Sequence, residues 1–255
     1  MSLNKLTAGL LAFGLASTAS AAPNLNALQG VFDNIAVDNG DYSATNDIDV
    51  TTDMLSDDLD SLWAVAGSNL GSTTLIIELA GFAASNTFGI YQDGLSFQLF
   101  DGAATTGSQT VLQVDGNGSV KIDLVDTGID LTINSEGKYD FGFYLDSSAS
   151  NGGGLFKSET DLNADGVDHM FAYQGLGQDV DLDGSATDTT FGIGEFTPGE
   201  YILAWEDIYG GGDEDYTDFV VMIESITPVP EPGLAALLGA GLIGLGLSRR
   251  KNRSA

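Results

Sequence analysis

Short apolar segments separated by Gly, Asp, Asn and Ser run through the whole central part of the chain. They include TTLIIELAGF, LSFQLF, TVLQVD, SVKIDLVD, YDFGFYLD, EYILAWED and DFVVMIES. Short apolar runs of this kind, many of them alternating, are typical of β-strands, and the residues between them are turn formers. The pattern predicts an all-β fold, a single antiparallel β-sandwich that resembles a jelly roll and has acidic loops. We expect the only helical piece near SDDLDSLWAVA, where Leu59, Leu62 and Trp63 could share one face.

The predicted sandwich covers residues 61–227. A polar segment rich in Asp and Asn, residues 22–60, precedes it, and we expect this segment to be loose in part. The chain contains no cysteine, which excludes disulfide bonds and thiol catalysis together. Stability must therefore come from an apolar core or from bound ions.

The N-terminus has the layout of a secretory signal peptide, residues 1–21. Lys5 precedes an apolar run from Leu6 to Leu15, and small residues follow, ending in the pattern Ala-Ser-Ala at Ala21. We predict that the chain is exported and that signal peptidase cleaves it between Ala21 and Ala22.

The C-terminal segment, residues 228–255, has three parts in a fixed order. The motif Pro230-Glu231-Pro232 precedes an apolar run over residues 233–247, and Arg249 and Arg250 begin a basic tail. As a helix, the run would span about 22 Å, short of the hydrocarbon core of about 30 Å. Its basic end would stay on the cytoplasmic side.

This order resembles the PEP-CTERM sorting signal of Gram-negative bacteria. The resemblance implies transient anchoring in the membrane, removal of the segment by a membrane protease of the exosortase type, and display at the cell surface or release from the cell. A plain C-terminal anchor that is retained is the alternative.

The charge of the body is strongly negative. Between Asp33 and Glu231 the chain holds all 37 acidic residues and three lysines, a net charge of −34. Such a surface repels nucleic acid and anionic lipid and attracts cations. A solvated acidic surface suited to a salty habitat is the alternative.

Acidic side chains are concentrated in one loop, residues 206–218, which we call the glycine–acid loop. It lies between two predicted strands, and its three consecutive glycines, Gly210 to Gly212, permit positive φ angles that let both flanks converge. The carboxylates would repel one another unless a cation joined them, and Ca²⁺ accepts flexible shells of six to eight oxygen ligands. The predicted ligands are Glu206, Asp207, Asp213, Asp215 and Asp218.

A second candidate is the loop of residues 161–168, which we call the short acidic loop. Its predicted ligands are Asp161, Asn163, Asp165 and Asp168. The spacing matches the start of an EF-hand loop, but Ala172 stands where the bidentate Glu is required. A similar run at Asp179, Asp181 and Asp183 is incomplete in the same way. Asx-turns, which need no metal, are the alternative for both runs.

Residues 161–221 resemble a bacterial surface domain of unknown function, family 4114. The resemblance is carried by DGVDH and, further on, by Trp205-Glu206-Asp207, Gly210 to Gly212, Asp213, Asp215, Tyr216 and Asp218. Trp205 stands where Phe is more usual and Thr217 where Asn often lies, so one amide oxygen is lost. The resemblance implies a secreted, matrix-associated protein and brings no known catalytic activity.

Catalytic signals are weak. His169 is the only histidine, and a structural hydrogen bond explains it better than acid–base catalysis. No single pair of acids marks a glycoside hydrolase, although an acidic β-sandwich leaves that alternative open. We therefore predict that the protein is not an enzyme.

The favoured function is that of a structural or adhesive surface protein, stabilised by Ca²⁺ and associated with exopolysaccharide in a biofilm matrix. The alternative is a Ca²⁺-dependent carbohydrate-binding module in which Tyr209 stacks on a sugar. Most other aromatic residues, including Trp63 and Trp205, are expected in the core.

Overall fold

The computed structural model describes residues 23–37, 48–66, 72–81, 85–105, 107–134, 137–181 and 193–230. The predicted signal peptide with Ala21 and Ala22, the residues Glu231, Pro232, Arg249 and Arg250, and the predicted C-terminal helix lie outside these residues. In the part of the chain that the structure describes, no helix is long and apolar enough to cross a membrane.

The predicted all-β architecture is confirmed. The strands are β1 Trp63–Val65, β2 Ser72–Gly81, β3 Thr87–Gln92, β4 Leu95–Phe100, β5 Gln109–Val114, β6 Ser119–Ile122, β7 Val125–Asp130, β8 Asp140–Asp146, β9 Leu155–Lys157, β10 Met170–Gln174, β11 Gln178–Asp181, β12 Ile193–Phe196, β13 Glu200–Trp205, β14 Phe219–Glu224 and β15 Ile226–Pro228. One helix, α1 Asn26–Ile35, and two short 3₁₀ turns, Asp57–Leu59 and Thr160–Leu162, complete the described elements.

Two antiparallel sheets form the sandwich. Sheet one has the order β15-β1-β8-β3-β4, with β9 also paired to β8. Sheet two has the order β10-β13-β14-β2-β5-β6-β7, and β11 and β12 form a separate hairpin. Consecutive strands thus pair in some places, such as β3 with β4 and β13 with β14, while β2 pairs with β14 from far along the chain.

The core between the sheets is rich in aromatic side chains. Phe88 of β3 is fully buried and stacks on Phe143 of β8, with ring centroids 5.5 Å apart. From sheet two, Phe219 and Trp205 approach Phe88 to 5.1 and 6.0 Å. Burial of each such side chain contributes about 1.5–3 kcal/mol. This core stabilises the folded sandwich, which has no disulfide bonds.

Helix α1 covers the outer face of sheet two. Its buried residues Leu28, Phe32 and Ile35 have helical spacing, and Phe32 makes an edge-to-face contact with Tyr173, with centroids 4.9 Å apart. Residues 48–50 and the β11–β12 hairpin join this second apolar cluster. Helix α1 is thus an ordered part of the N-terminal segment, which was expected to be loose in part.

The prediction that the only helical piece lies near SDDLDSLWAVA is wrong, because the helix of the described residues is α1. In this stretch only Asp57–Leu59 is helical, as a 3₁₀ turn, and Trp63 begins strand β1. The indole of Trp63 is fully buried in the sandwich core and donates a hydrogen bond to the carbonyl oxygen of Asp60 at 2.9 Å. Burial of this side chain between the sheets outweighed the local helical pattern.

Candidate cation site in the glycine–acid loop

The glycine–acid loop connects β13 to β14, as the sequence predicts. The two strands pair from Glu200 with Glu224 to Trp205 with Phe219, so Glu206 and Asp218 leave the sheet side by side. Gly210, Gly211 and Gly212 all have positive φ angles, of 80°, 89° and 51°. A Cβ atom at residue 212 would lie 2.1 Å from Oε1 of Glu206. Glycine is therefore required there for the backbone to pass the carboxylate.

Glu206 is the buried centre of the loop. Its side chain has no solvent exposure, and its Oε1 accepts a hydrogen bond from the backbone N–H of Ile208 at 3.2 Å. Its Oε2 is buried without a hydrogen-bond partner. An unpaired buried oxygen of a charged group costs free energy that a bound cation would recover.

The five predicted ligands form two groups of three that share Glu206. The outer group is Glu206, Asp213 and Asp215, and the inner group is Glu206, Asp207 and Asp218. Within each group, one oxygen of every carboxylate lies within 4.8 Å of the others. Both groups of oxygens could hold a metal ion.

The inner group connects the loop to sheet one. Asn86, in the segment before β3, donates from Nδ2 to Oδ2 of Asp207 at 2.7 Å, and its own Oδ1 is buried without a partner. The hydroxyl of Ser147, just after β8, donates to the carbonyl oxygen of Asp207 at 2.5 Å. The backbone N–H of Asp207 donates to Oδ2 of Asp218 at 3.0 Å.

The outer group lies at the turn of the loop. Oδ1 of Asp215 accepts hydrogen bonds from the backbone N–H and the hydroxyl of Thr217, at 3.0 and 2.8 Å. Glu214 and Tyr216 have positive φ angles of 57° and 55°, which are costly for residues other than glycine. The ring of Tyr216 is held by stacking on Phe171, with centroids 3.9 Å apart.

The electrostatics of the loop disfavour the ionised state. Burial, together with the nearby charges of Asp218 and Asp213, raises the pKa of Glu206 to about 8. Burial, opposed by the backbone N–H of Asp207, raises the pKa of Asp218 to about 6. Among the described residues, no lysine or arginine forms an ion pair with the five acids. A cation from solution would offset these charges.

The short acidic loop uses its polar atoms differently. Asn163 is buried, its Oδ1 accepts from the N–H of Lys157 at 2.7 Å, and its Nδ2 donates to the carbonyl oxygens of Lys157 and Val167. Oδ1 of Asp165 accepts from the N–H of Val167, and Oδ1 of Asp168 from that of Met170. The contacts of Asp165 and Asp168 are those of Asx-turns, whereas Asn163 ties the loop to the backbone of Lys157 and Val167.

The three acids of the short acidic loop, Asp161, Asp165 and Asp168, belong to no group of acids that could hold a metal ion among the described residues. The geometry thus favours the metal-free alternative for this loop. Of the similar run further on, Asp179 and Asp181 lie in β11, and Asp183 is outside the described residues.

His169 makes structural hydrogen bonds, as expected. It is fully buried and stacks on Phe156, with ring centroids 3.7 Å apart. Its Nδ1 donates to the carbonyl oxygen of Glu206 at 3.0 Å, and its Nε2 lies 2.9 Å from Oδ2 of Asp165. The same Asp165 oxygen accepts from the N–H of Gly210 at 2.8 Å. Hydrogen bonds of Asp165 and His169 therefore join the short acidic loop to the glycine–acid loop.

Tyr209 is the exposed aromatic residue of the glycine–acid loop. Its side chain is 53% exposed, and the neighbouring Ile208 is 41% exposed. Trp63 and Trp205 are fully buried, as predicted. The ring of Tyr209 is thus accessible to solvent, as stacking on a ligand would require.

Two features of the structure were not predicted from the sequence. Asn86 lies 121 residues from its partner Asp207, and nothing in its local sequence marks it. Asp60 is buried with Oδ1 unpaired, and burial with the nearby charges of Asp168 and Asp57 raises its pKa to about 9. Burial also raises the pKa of Asp168 to about 7. Both features depend on tertiary contacts that sequence spacing does not encode.

Comparison with known families agrees with both predicted resemblances. Residues 126–225 match the family model described as a domain of unknown function, DUF4114. Residues 228–251 match the PEP-CTERM protein-sorting motif. No curated protein and no solved structure shows a significant match.

The matched domain contains all five acids of the glycine–acid loop but not Asn86. The sorting motif implies export, anchoring in the membrane and processing by exosortase, a membrane protease. The chain thus carries a PEP-CTERM sorting motif, which implies sorting to the cell surface, and a preceding segment that matches DUF4114.

Proposed function

We propose that the exported protein is a structural or adhesive component of an extracellular polysaccharide matrix, and that Ca²⁺ bound by the glycine–acid loop stabilises it. The observation that carries this proposal is the fully buried Glu206, whose Oε2 lacks a partner and which belongs to both groups of acids. No known catalytic activity accompanies the matched domain, and we propose that the protein is not an enzyme.

Ca²⁺ fits this loop better than Mg²⁺ does. The available ligands are carboxylate oxygens at irregular positions on a turn, with one side-chain amide nearby. Ca²⁺ tolerates irregular shells of six to eight oxygens, whereas Mg²⁺ requires near-ideal octahedral geometry and gives up water reluctantly. Extracellular Ca²⁺ modules commonly have dissociation constants of about 10⁻⁴–10⁻³ M. Occupancy would then follow the calcium content of the medium.

A cation in this loop would act on the stability of the folded state. It binds the native arrangement and not the unfolded chain, so it stabilises by mass action, by about 2.7 kcal/mol at a concentration 100 times its dissociation constant. It would also offset the burial and the repulsion between carboxylates that raise the pKa values of Glu206 and Asp218. A matrix protein without disulfides gains resistance to unfolding outside the cell in this way.

The proposal is tested by thermal unfolding of residues 22–230 with and without millimolar Ca²⁺. We expect Ca²⁺ to raise the melting temperature of the unmodified protein, and Asp213→Asn to remove most of that rise. Asp130→Asn is the matched control, because Asp130 is also exposed but lies on β7, away from the loop. Absence of any rise in the unmodified protein would contradict the metal part of the proposal.

The exposed Tyr209 favours a second candidate function, Ca²⁺-dependent carbohydrate binding. Its ring lies on the same loop as the acids and is 53% exposed. Retention on the polysaccharide of the producing cell should be lost in Tyr209→Ala and preserved in Tyr209→Phe, which keeps the stacking face. Equal retention of both variants would argue against this function.

A further inference from the structure

We propose that Glu206 bridges two cations, and that the inner cation, bound by Glu206, Asp207, Asp218 and the amide oxygen of Asn86, fastens sheet one to sheet two. This inference deepens the proposed function and rests on it, because it takes the glycine–acid loop to be a Ca²⁺ site.

The first argument is the division of the five acids. They form an outer and an inner group that have only Glu206 in common. A carboxylate has two oxygens and can place one on each of two ions. Glu206 is suited to bridging because it is fully buried and held by the N–H of Ile208 through Oε1, with Oε2 left free of protein donors.

The second argument is the unpaired oxygen of Asn86. This side chain is only 4% exposed, and its Oδ1 has no hydrogen-bond partner. Its orientation is fixed, because Nδ2 donates to Oδ2 of Asp207, and a flipped amide would place two acceptor oxygens together. Side-chain amide oxygens are ordinary Ca²⁺ ligands. Beside the inner group there is thus a neutral buried oxygen that no protein donor uses.

The third argument is charge. When ionised, the five carboxylates carry five negative charges in a partly buried loop. One divalent cation would leave three of these charges, and a second would leave one. The described residues offer no lysine or arginine ion pair to neutralise the remainder. Two cations therefore suit the site better than one.

The two cations would have different mechanical effects. The outer one would join residues of a single hairpin connection, because Glu206, Asp213 and Asp215 all lie between β13 and β14. The inner one would join this connection, which extends sheet two, to Asn86 at the start of β3 in sheet one. Ser147 already makes a parallel link from the end of β8. The inner cation thus acts as a brace between the sheets.

The test counts calcium ions on the full chain in detergent micelles, by native mass spectrometry and by calorimetric titration with CaCl₂. We expect two Ca²⁺ per chain. Asp215→Asn should leave the inner ion and Asp218→Asn the outer ion, so each variant should bind one. Asn86→Ala should weaken only the inner ion, by about tenfold or more.

The outcomes separate this inference from the proposed function. One Ca²⁺ per unmodified chain, lost in Asp215→Asn and unaffected by Asn86→Ala, would overturn the second site and leave the proposed function intact. No Ca²⁺ on the unmodified chain would overturn both. The number of Ca²⁺ ions on the unmodified chain tests this inference even where a variant fails to fold.

Discussion

Two loops of this protein look alike in sequence and differ in what their oxygens do. The short acidic loop and the glycine–acid loop are both built from Asp, Gly and small polar residues. In the first, backbone N–H groups take up the oxygens of Asn163, Asp165 and Asp168. In the second, buried Glu206 keeps one oxygen without a donor. The comparison indicates that a candidate cation site is better recognised by oxygens that the backbone leaves without a donor than by the number of acids.

The largest expected effect comes from Gly212→Ala. A Cβ there would lie 2.1 Å from Oε1 of Glu206, at a φ of +51°. Gly210→Ala is the matched control, because its φ is +80° and no atom lies within 4 Å of the added Cβ. We expect the control to lower the free energy of unfolding by about 1–2 kcal/mol and Gly212→Ala by at least twice that amount. Urea unfolding measures both, and equal losses would contradict the close packing of Glu206.

Asn163→Ala should break the short acidic loop without touching the cation response. The side chain makes three hydrogen bonds with the backbone of Lys157 and Val167. At about 0.5–1.5 kcal/mol for each bond, we expect a loss of about 2–4 kcal/mol. The loss should be the same with and without Ca²⁺. A loss that Ca²⁺ reverses would place the short acidic loop among the metal sites instead.

Glu206 of the glycine–acid loop and Asp165 of the short acidic loop should respond to pH in opposite directions in the cation-free protein. The pKa of Glu206 is raised to about 8, so its contribution to stability is fully present below about 4.5 and is lost as the pH rises towards 8. Burial opposes ionisation of Asp165, but hydrogen bonds from the N–H of Gly210 and from His169 outweigh it and lower its pKa. The contribution of Asp165 is therefore present above its ordinary pKa and is lost in acid.

Unfolding measured from pH 3 to pH 9 checks this contrast. Glu206→Gln should remove about 1–3 kcal/mol of the decline towards pH 8. Asp165→Asn should remove part of the loss in acid. If Glu206→Gln left the alkaline decline unchanged, the burial of its carboxylate would be in doubt.

The smallest expected effect is a gain from Thr217→Asn. The Thr217 hydroxyl donates to Oδ1 of Asp215 and supplies no amide oxygen to the outer group. An asparagine could keep a donor to Asp215 and add one oxygen ligand, so we expect Ca²⁺ to bind a few times more tightly. Thr217→Val removes the donor and serves as the control. Equal or weaker binding in Thr217→Asn would show that residue 217 does not face the ion.

The sequence predicts the sandwich and the glycine–acid hairpin because both depend on local patterns. Alternation of apolar residues marks the strands, and Gly210 to Gly212 mark the turn with positive φ that the structure contains. Helix α1 was not predicted in this way, because the role of its apolar face is evident only from its packing against the outer face of sheet two.

The finer points of the site depend on long-range contacts. Asn86 contacts Asp207 only because the fold brings the segment before β3 next to the loop. Glu206 is likewise buried only in the folded sandwich. Spacing makes the short acidic loop a second candidate, because spacing does not reveal which oxygens the backbone amides use. Trp63 shows the same effect in the core, where burial overrides a local helical pattern.

The most direct test of the central claim is a calorimetric titration of Ca²⁺ into residues 22–230 and two triple variants. One variant changes Asp213, Asp215 and Asp218 to Asn, and the other makes the same change at the exposed acids Asp130, Asp161 and Asp179. The two variants lose equal charge. We predict that binding disappears in the first variant and persists in the second. Equal binding in both, or none in the unmodified protein, would contradict a cation site in the glycine–acid loop.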